Sequence, residues 1–153
     1  MIETGGRPQL VIFGAEKTGK ILAALAHLMN FGVTMIDPSL TVEEAPGADR
    51  VLHDLDFSRL PHPEAAFVVI ASGGRFDEEA AELALRSGVR YIALVANRKR
   101  SREVLNRVAA KGIDTEMVRS KAGVDIGAEG PEEIALSIMA EIIAERHHTR
   151  VIY

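Results

Sequence analysis

The chain has 153 residues, of which 47% are hydrophobic and 26% charged, with a formal net charge of −4 and no cysteine. This is the composition of one ordinary globular domain, long enough to bury most of its apolar surface. It excludes disulfides, thiolate metal ligands and thiol nucleophiles, and it carries no basic excess for binding nucleic acid or a membrane surface.

Residues 1–8 read as a tail. The opening "MIETGGRPQ" lacks the apolar core of a signal peptide, and no apolar run approaches the roughly 18 residues of a membrane span. A soluble, cytoplasmic protein is expected. "QLVIF", residues 9–13, is a short apolar run ending at Gly14, the pattern of a buried strand. From about Thr18 to Asn30 the apolar residues Ile21, Leu22, Leu25, Leu28 and Met29 recur at helical spacing. Gly32 is expected to punctuate the end of that helix. "VTMID" reads as a second strand ending in Asp37, and residues 38–50 as a surface loop. A weak strand near Val51–Leu52 and an irregular polar stretch to Pro63 follow.

"AAFVVIAS" is the strongest buried strand, ended by Gly73 and Gly74. Phe76–Ser87 is an amphipathic helix stopped by Gly88, and "RYIALVA" is another strand. A basic helix from about Arg100 to Lys111 stops at Gly112, and an extended piece at Glu116–Arg119 leads into the loop "AGVDIGAEG". A final helix runs from about Pro131 to Arg146, leaving 147–153 as a tail or a short strand, "TRVIY". Strands and helices alternate without a repeat or a second set of elements. That order predicts a single α/β domain over 1–153: an open parallel sheet with helices on both faces, of Rossmann type.

The stretch "VIFGAEKTGKIL" admits two phosphate-binding readings. In a dinucleotide-binding βαβ unit, one glycine makes the tight turn and another lets the backbone approach the pyrophosphate. A third lets helix and strand pack, and an acid about 20 residues on bonds a ribose. Gly14, Gly19 and Asp37 fill three of these four roles, while Glu16 stands at the middle glycine. A P-loop needs a hydroxyl at Ile21 to hold Mg²⁺, and that reading fails. If the Glu16 carboxylate faced a pyrophosphate at about 5 Å, each charge pair would cost roughly 3 kcal/mol. That is on the order of a hundredfold in affinity. Rotation into water, or charge from Lys17 or Lys20, would offset the cost. The plain alternative is a loop that binds nothing and joins strand to helix.

Three segments resemble the carboxy-terminal Rossmann domain of xanthine dehydrogenase accessory proteins, the XdhC/CoxI group. They are "VIFGAEKTGKILAALAHLMNFGVTMIDPS", "YIALVANRKR" and "GVDIGAEGPEEIALSIMAEIIA", and the resemblance as a whole spans about residues 9–146. The sequence departs from the family at Glu16, a glycine there, at Lys17, often a histidine, and at Gly130, a Ser or Thr cap. The family's separate amino-terminal domain, with its Cys-containing glycine-rich segment, has no counterpart among these segments. The resemblance implies a cytoplasmic protein that binds pterin-based molybdenum cofactor and assists maturation of a xanthine dehydrogenase or CO dehydrogenase-type client. A separate chain would then supply the amino-terminal domain. An NAD- or NADP-binding regulatory or redox domain is the alternative, resting on Gly14, Gly19 and Asp37. A homo-oligomer, a dimer, is expected, since small Rossmann domains often pair.

The residues placed at the ligand are Gly14, Ala15, Glu16, Lys17, Thr18 and Gly19 of the first loop, and Asp37 after the second strand. Ser72 and Gly73 follow the strongest strand, where tight-turn duty explains the glycines equally well. Asn97, Arg98, Lys99 and Arg100 lie beyond another strand end, the edge where open α/β sheets bind ligands, and the cations suit an anion there. Asp125 and Gly127 lie in the glycine-spaced loop, where either ligand contact or a well-built helix start accounts for them. Pro131, Glu132 and Glu133 suit the positive end of a helix. His27, His147 and His148 form no metal set, and no nucleophile or paired-carboxylate arrangement points to catalysis.

Overall fold

The computed structural model describes residues 6–60 and 67–147. Its elements are β1 (Gln9–Phe13), α1 (Lys17–Leu28), β2 (Gly32–Ile36), a 3-10 turn (Val42–Glu44), β3 (Arg50–Leu52) and β4 (Phe67–Ile70). They continue with α2 (Asp77–Arg86), β5 (Tyr91–Leu94), α3 (Arg98–Ala109), β6 (Val118–Arg119) and α4 (Gly130–Arg146). The expected terminal strand "TRVIY" lies outside the described residues.

All six strands are parallel, in the order β3-β2-β1-β4-β5-β6. This is the Rossmann order, and its direction reverses between β1 and β4, the switch point where ligands of such sheets bind. The register brings the strand ends to one level. Phe13 lies beside Ile36 and Ile70, Ile36 beside Leu52, and Ile70 beside Leu94. The loops beginning at Gly14, Asp37, Ala71 and Val95 therefore leave the sheet along a single edge.

Strand alternation divides the core. Leu10, Ile12, Val33, Met35, Phe67, Val69, Tyr91 and Ala93 face α1 and α4, against Leu22, Ala26, Ile138 and Ile142. Val11, Phe13, Val68, Ile70, Ile92 and Leu94 face α2 and α3, against Ala80, Ala84, Val104 and Val108. Buried on both sides, these strands are apolar runs rather than half-polar alternations. On the second face, Phe57 and Leu60 of the segment after β3 join Phe13 and Phe76 in the core, and the described residues of that segment form no helix.

One expectation is corrected. Gly32 does not punctuate α1; Asn30 takes the left-handed conformation at φ 64°, and Gly32 opens β2. The Gly32 amide donates to the Pro8 carbonyl at 2.8 Å. A Cβ at Gly32 would run into the Gln9 side chain, so the glycine serves strand pairing.

Candidate functional site

The site begins where the β1 and β4 loops touch. Gly14 has φ 105°, and a Cβ there would collide with the Ala71 carbonyl. The Glu16 amide donates to that same carbonyl at 3.2 Å. Gly19 packs its bare Cα face near Ile12 and Ala71, seating α1 on the sheet. Gly14 and Gly19 thus perform the turn and packing duties expected of them.

Glu16 caps α1 by backbone only and offers its side chain to no amide of the helix. Its carboxylate lies over Gly73, where a Cβ would sit, so Gly73 leaves the room that Glu16 takes. The acid therefore stands at the crossing between the two halves of the crevice. Of the two lysines expected to offset it, Lys17 pairs with Glu132 at 3.2 Å and Lys20 with Glu44 at 3.6 Å.

Asp37 directly follows β2, at the expected place, but it is 0% exposed and both of its oxygens are bonded. Its Oδ1 accepts from the Ser39 amide at 2.8 Å and the Ser39 hydroxyl at 2.7 Å. Its Oδ2 accepts from the Arg75 guanidinium. Burial pushes the Asp37 carboxyl up, but the bonds from Arg75 and Ser39 outweigh it and hold the group below its ordinary value. Arg75 moves the opposite way, raised first by its bond to Asp37 and then by the fields of Asp37, Glu16 and Asp77. Its Nε also donates to the Ser72 carbonyl at 3.1 Å, and its guanidinium lies 5.3 Å from the Phe76 ring centroid.

Ser72 belongs to the same turn. Its hydroxyl donates to the buried Asp77 carboxylate and accepts from the Phe76 amide at 3.1 Å. Asp77 also accepts from the Gly74 amide at 3.1 Å, so the first residue of α2 ties down the whole β4 loop. A small cavity of about 320 Å³, lined among others by Ala15, Glu16, Ser39, Ser72, Gly73 and Arg75, marks this half.

The other half lies beyond the ends of β5 and β6. A cavity of about 590 Å³ is lined by Glu16, Lys17 and Thr18 of the α1 start, Asn97 and Arg100 of the α3 start, and Lys121 after β6. Pro131, Ile134 and Ile138 of α4 form its apolar wall, with Leu94 and Val95. Asn97 is a helix cap, its side chain accepting from the Arg100 amide at 2.7 Å. Arg100 Nε is shut off from solvent and makes no hydrogen bond; it lies 3.6 Å from Asp77 Oδ2.

Arg98 and Lys99 are exposed and do not line this cavity. Asp125 and Gly127 also lie outside it, in a loop where the Gly127 amide donates to Asp125 at 3.4 Å. Asp125 instead lines a neighbouring surface hollow of about 780 Å³, with Lys121, Ala122 and Ile134 common to both. The loop is fixed to α4, because a Cβ at Gly123 would meet the Ser137 hydroxyl. The Gly123 amide donates to buried Glu141 at 3.0 Å. No sequence pattern singles out Arg75 or Lys121. Arg75 meets Asp37 only because β2 and β4 both flank β1, a relation that no local spacing announces.

A family model, the XdhC Rossmann domain, matches residues 10–142. The chain belongs to the XdhC Rossmann-domain family. Among curated relatives, it is 31% identical over 155 residues to a probable xanthine dehydrogenase subunit of Bacillus subtilis, covering 95% of this chain and 45% of that protein. It is 30% identical over 154 residues to the uncharacterized protein YqeB of Escherichia coli, covering 94% of this chain and 28% of that protein. A crystal structure of a xanthine dehydrogenase from Bacillus halodurans superposes with a TM-score of 0.79 at 28% identity, over 94% of this chain and 44% of that one. The chain therefore spans less than half the length of these relatives. Lactate dehydrogenase from Eimeria maxima superposes at a TM-score of 0.53 and 14% identity, over 80% of this chain and 46% of that one. That likeness shows a shared fold with a nucleotide-binding dehydrogenase and nothing of its ligand.

Proposed function

We propose that this XdhC-type domain binds a pterin-based molybdenum cofactor and serves maturation of a molybdoenzyme related to xanthine dehydrogenase. The observation that carries the reading is the cavity beyond β5, where the start of α1 and the cations Arg100 and Lys121 converge on one space. A helix start and the Arg100 guanidinium, whose Nε makes no hydrogen bond, favour an anion such as a phosphate. The residues present fit a phosphate-bearing pterin. Arg100 Nε is a buried donor that makes no hydrogen bond, and the apolar wall of Leu94, Ile134 and Ile138 suits a flat ring system.

Arg100 and Lys121 would hold the phosphate, and Thr18 at the first turn of α1 would add a hydroxyl. Ile134 and Ile138 would exclude water from the ring. When bound, the cofactor supplies the molybdenum chemistry of the client, and the domain itself contributes holding and shielding. A role as carrier rather than catalyst accords with this wall of apolar and cationic groups. The partner this reading calls for is the client molybdoenzyme.

The test is retention of molybdenum cofactor, released from a donor enzyme, through gel filtration with the domain, read by fluorescence of the oxidised pterin. Retention by the native sequence and its loss in Arg100→Ala/Lys121→Ala is the expected result. Equal retention by both, or none by the native sequence, would contradict the reading.

A further inference from the structure

We infer that Arg75 is the specificity residue of this site: it closes the β2 half of the crevice, so the domain takes a phosphate-bearing ligand in one half and refuses dinucleotides. The inference rests on the preceding reading for what fills the open half, but its own ground is the geometry around Asp37.

A dinucleotide spanning a Rossmann switch point places one ribose on the acid that ends the second strand and its pyrophosphate across the first loop. Here that acid is already bonded through both oxygens. Oδ1 holds the amide and hydroxyl of Ser39, and Oδ2 holds Arg75. With Asp37 0% exposed behind Arg75 and Ser39, a ribose diol has no open approach to either oxygen.

Arg75, though half exposed, is held at several points. Its Nε is tied to the Ser72 carbonyl at 3.1 Å, its guanidinium rests near the Phe76 ring, and it sits in the fields of Asp37, Glu16 and Asp77. The β4 loop that carries it is itself tied down by Asp77. At the crossing, the Glu16 carboxylate over Gly73 faces the path of a pyrophosphate with a like charge. Two features from different loops thus act against the same ligand class. Arg75 takes no part in the cavity lined by Arg100 and Lys121, and Glu16 reaches only its α1 rim.

Titration calorimetry with NAD and with ADP-ribose tests this on the native chain, Arg75→Ala and Arg75→Lys, with thermal melts to confirm folding. The native chain is expected to bind neither probe measurably. Arg75→Ala frees Oδ2 of Asp37 and should bind ADP-ribose at least about tenfold more tightly, the scale of one charge-assisted hydrogen bond. Arg75→Lys, which keeps the charge and the fold but loses the fork, should fall between the two.

Stoichiometric NAD or ADP-ribose binding by the native chain would overturn the inference. So would folded variants that both bind no better than the native chain. Cofactor retention in the preceding experiment is read separately, so its failure would remove the proposed ligand and leave the exclusion of dinucleotides standing.

Discussion

The two halves of the crevice, on either side of the contact between the β1 and β4 loops, dispose of their charge in opposite ways. On the β2 side the chain neutralises itself, with Asp37 buried against Ser39 and Arg75. On the β5 side the cations Arg100 and Lys121 line a cavity of about 590 Å³, and the Arg100 Nε meets Asp77 only at ion-pair distance, 3.6 Å, without a hydrogen bond. Both halves begin from the same elements, loops leaving parallel strands at one level. The proposed ligand preference follows from which charges the protein satisfies internally. A Rossmann order alone does not specify a dinucleotide; by our inference the acid after β2 decides it in this chain.

The harshest way to break the comparison is at the seam between the halves. Gly14→Val adds a side chain where φ is 105° and the Ala71 carbonyl stands in the way. Strain and overpacking together should cost about 4 kcal/mol in urea denaturation. A loss below about 1 kcal/mol would mean that the β1 and β4 loops move apart freely.

Next in size is the open half. Arg100→Ala/Lys121→Ala should weaken a phosphate-bearing pterin by about tenfold to a hundredfold, with a smaller loss of thermal stability because Arg100 also faces buried Asp77. Titration calorimetry checks both cations together.

The closed half has a pH signature. Asp37 titrates below its ordinary value of 3.8, so the stability it contributes is complete above that value. It is lost as the pH falls through the lower folded value. Asp37→Asn should therefore flatten the acid limb of a denaturant-midpoint profile. At neutral pH it should cost about 1 kcal/mol, a small figure because Arg75 is half exposed and solvent screens the pair. An unchanged acid limb would show that another carboxylate governs it.

Smallest is Lys111→Ala, which removes the exposed pair to Glu82 at 2.8 Å, at the far end of α3 from Arg100. Neither ligand binding nor the unfolding midpoint should shift measurably.

Much of the fold was legible because buried parallel strands are apolar runs ended by glycine, as at "QLVIF" before Gly14. Gly88 and Gly112, at φ 68° and 81°, stop α2 and α3 where expected. Gly32 misled, because its use is tight pairing beside Gln9, a contact between strands that helix-end logic does not include. The first loop was legible in part: Gly14 and Gly19 are in role, and Glu16 turns its acid toward Gly73. Arg98 and Lys99 form one cationic run with Arg100 along the sequence, yet helix rotation sends only Arg100 of the three to the cavity. The pair of Asp37 and Arg75 was not legible, since 38 residues separate partners that only the strand order brings together.

Native mass spectrometry of the chain, produced in a host that makes molybdenum cofactor and then exposed to NAD, tests the central claim most directly. The account predicts one pterin species per chain and no nicotinamide adduct. A stoichiometric nicotinamide adduct with no pterin would contradict it, because it would mean that the half closed by Arg75 and Asp37 is the half that binds.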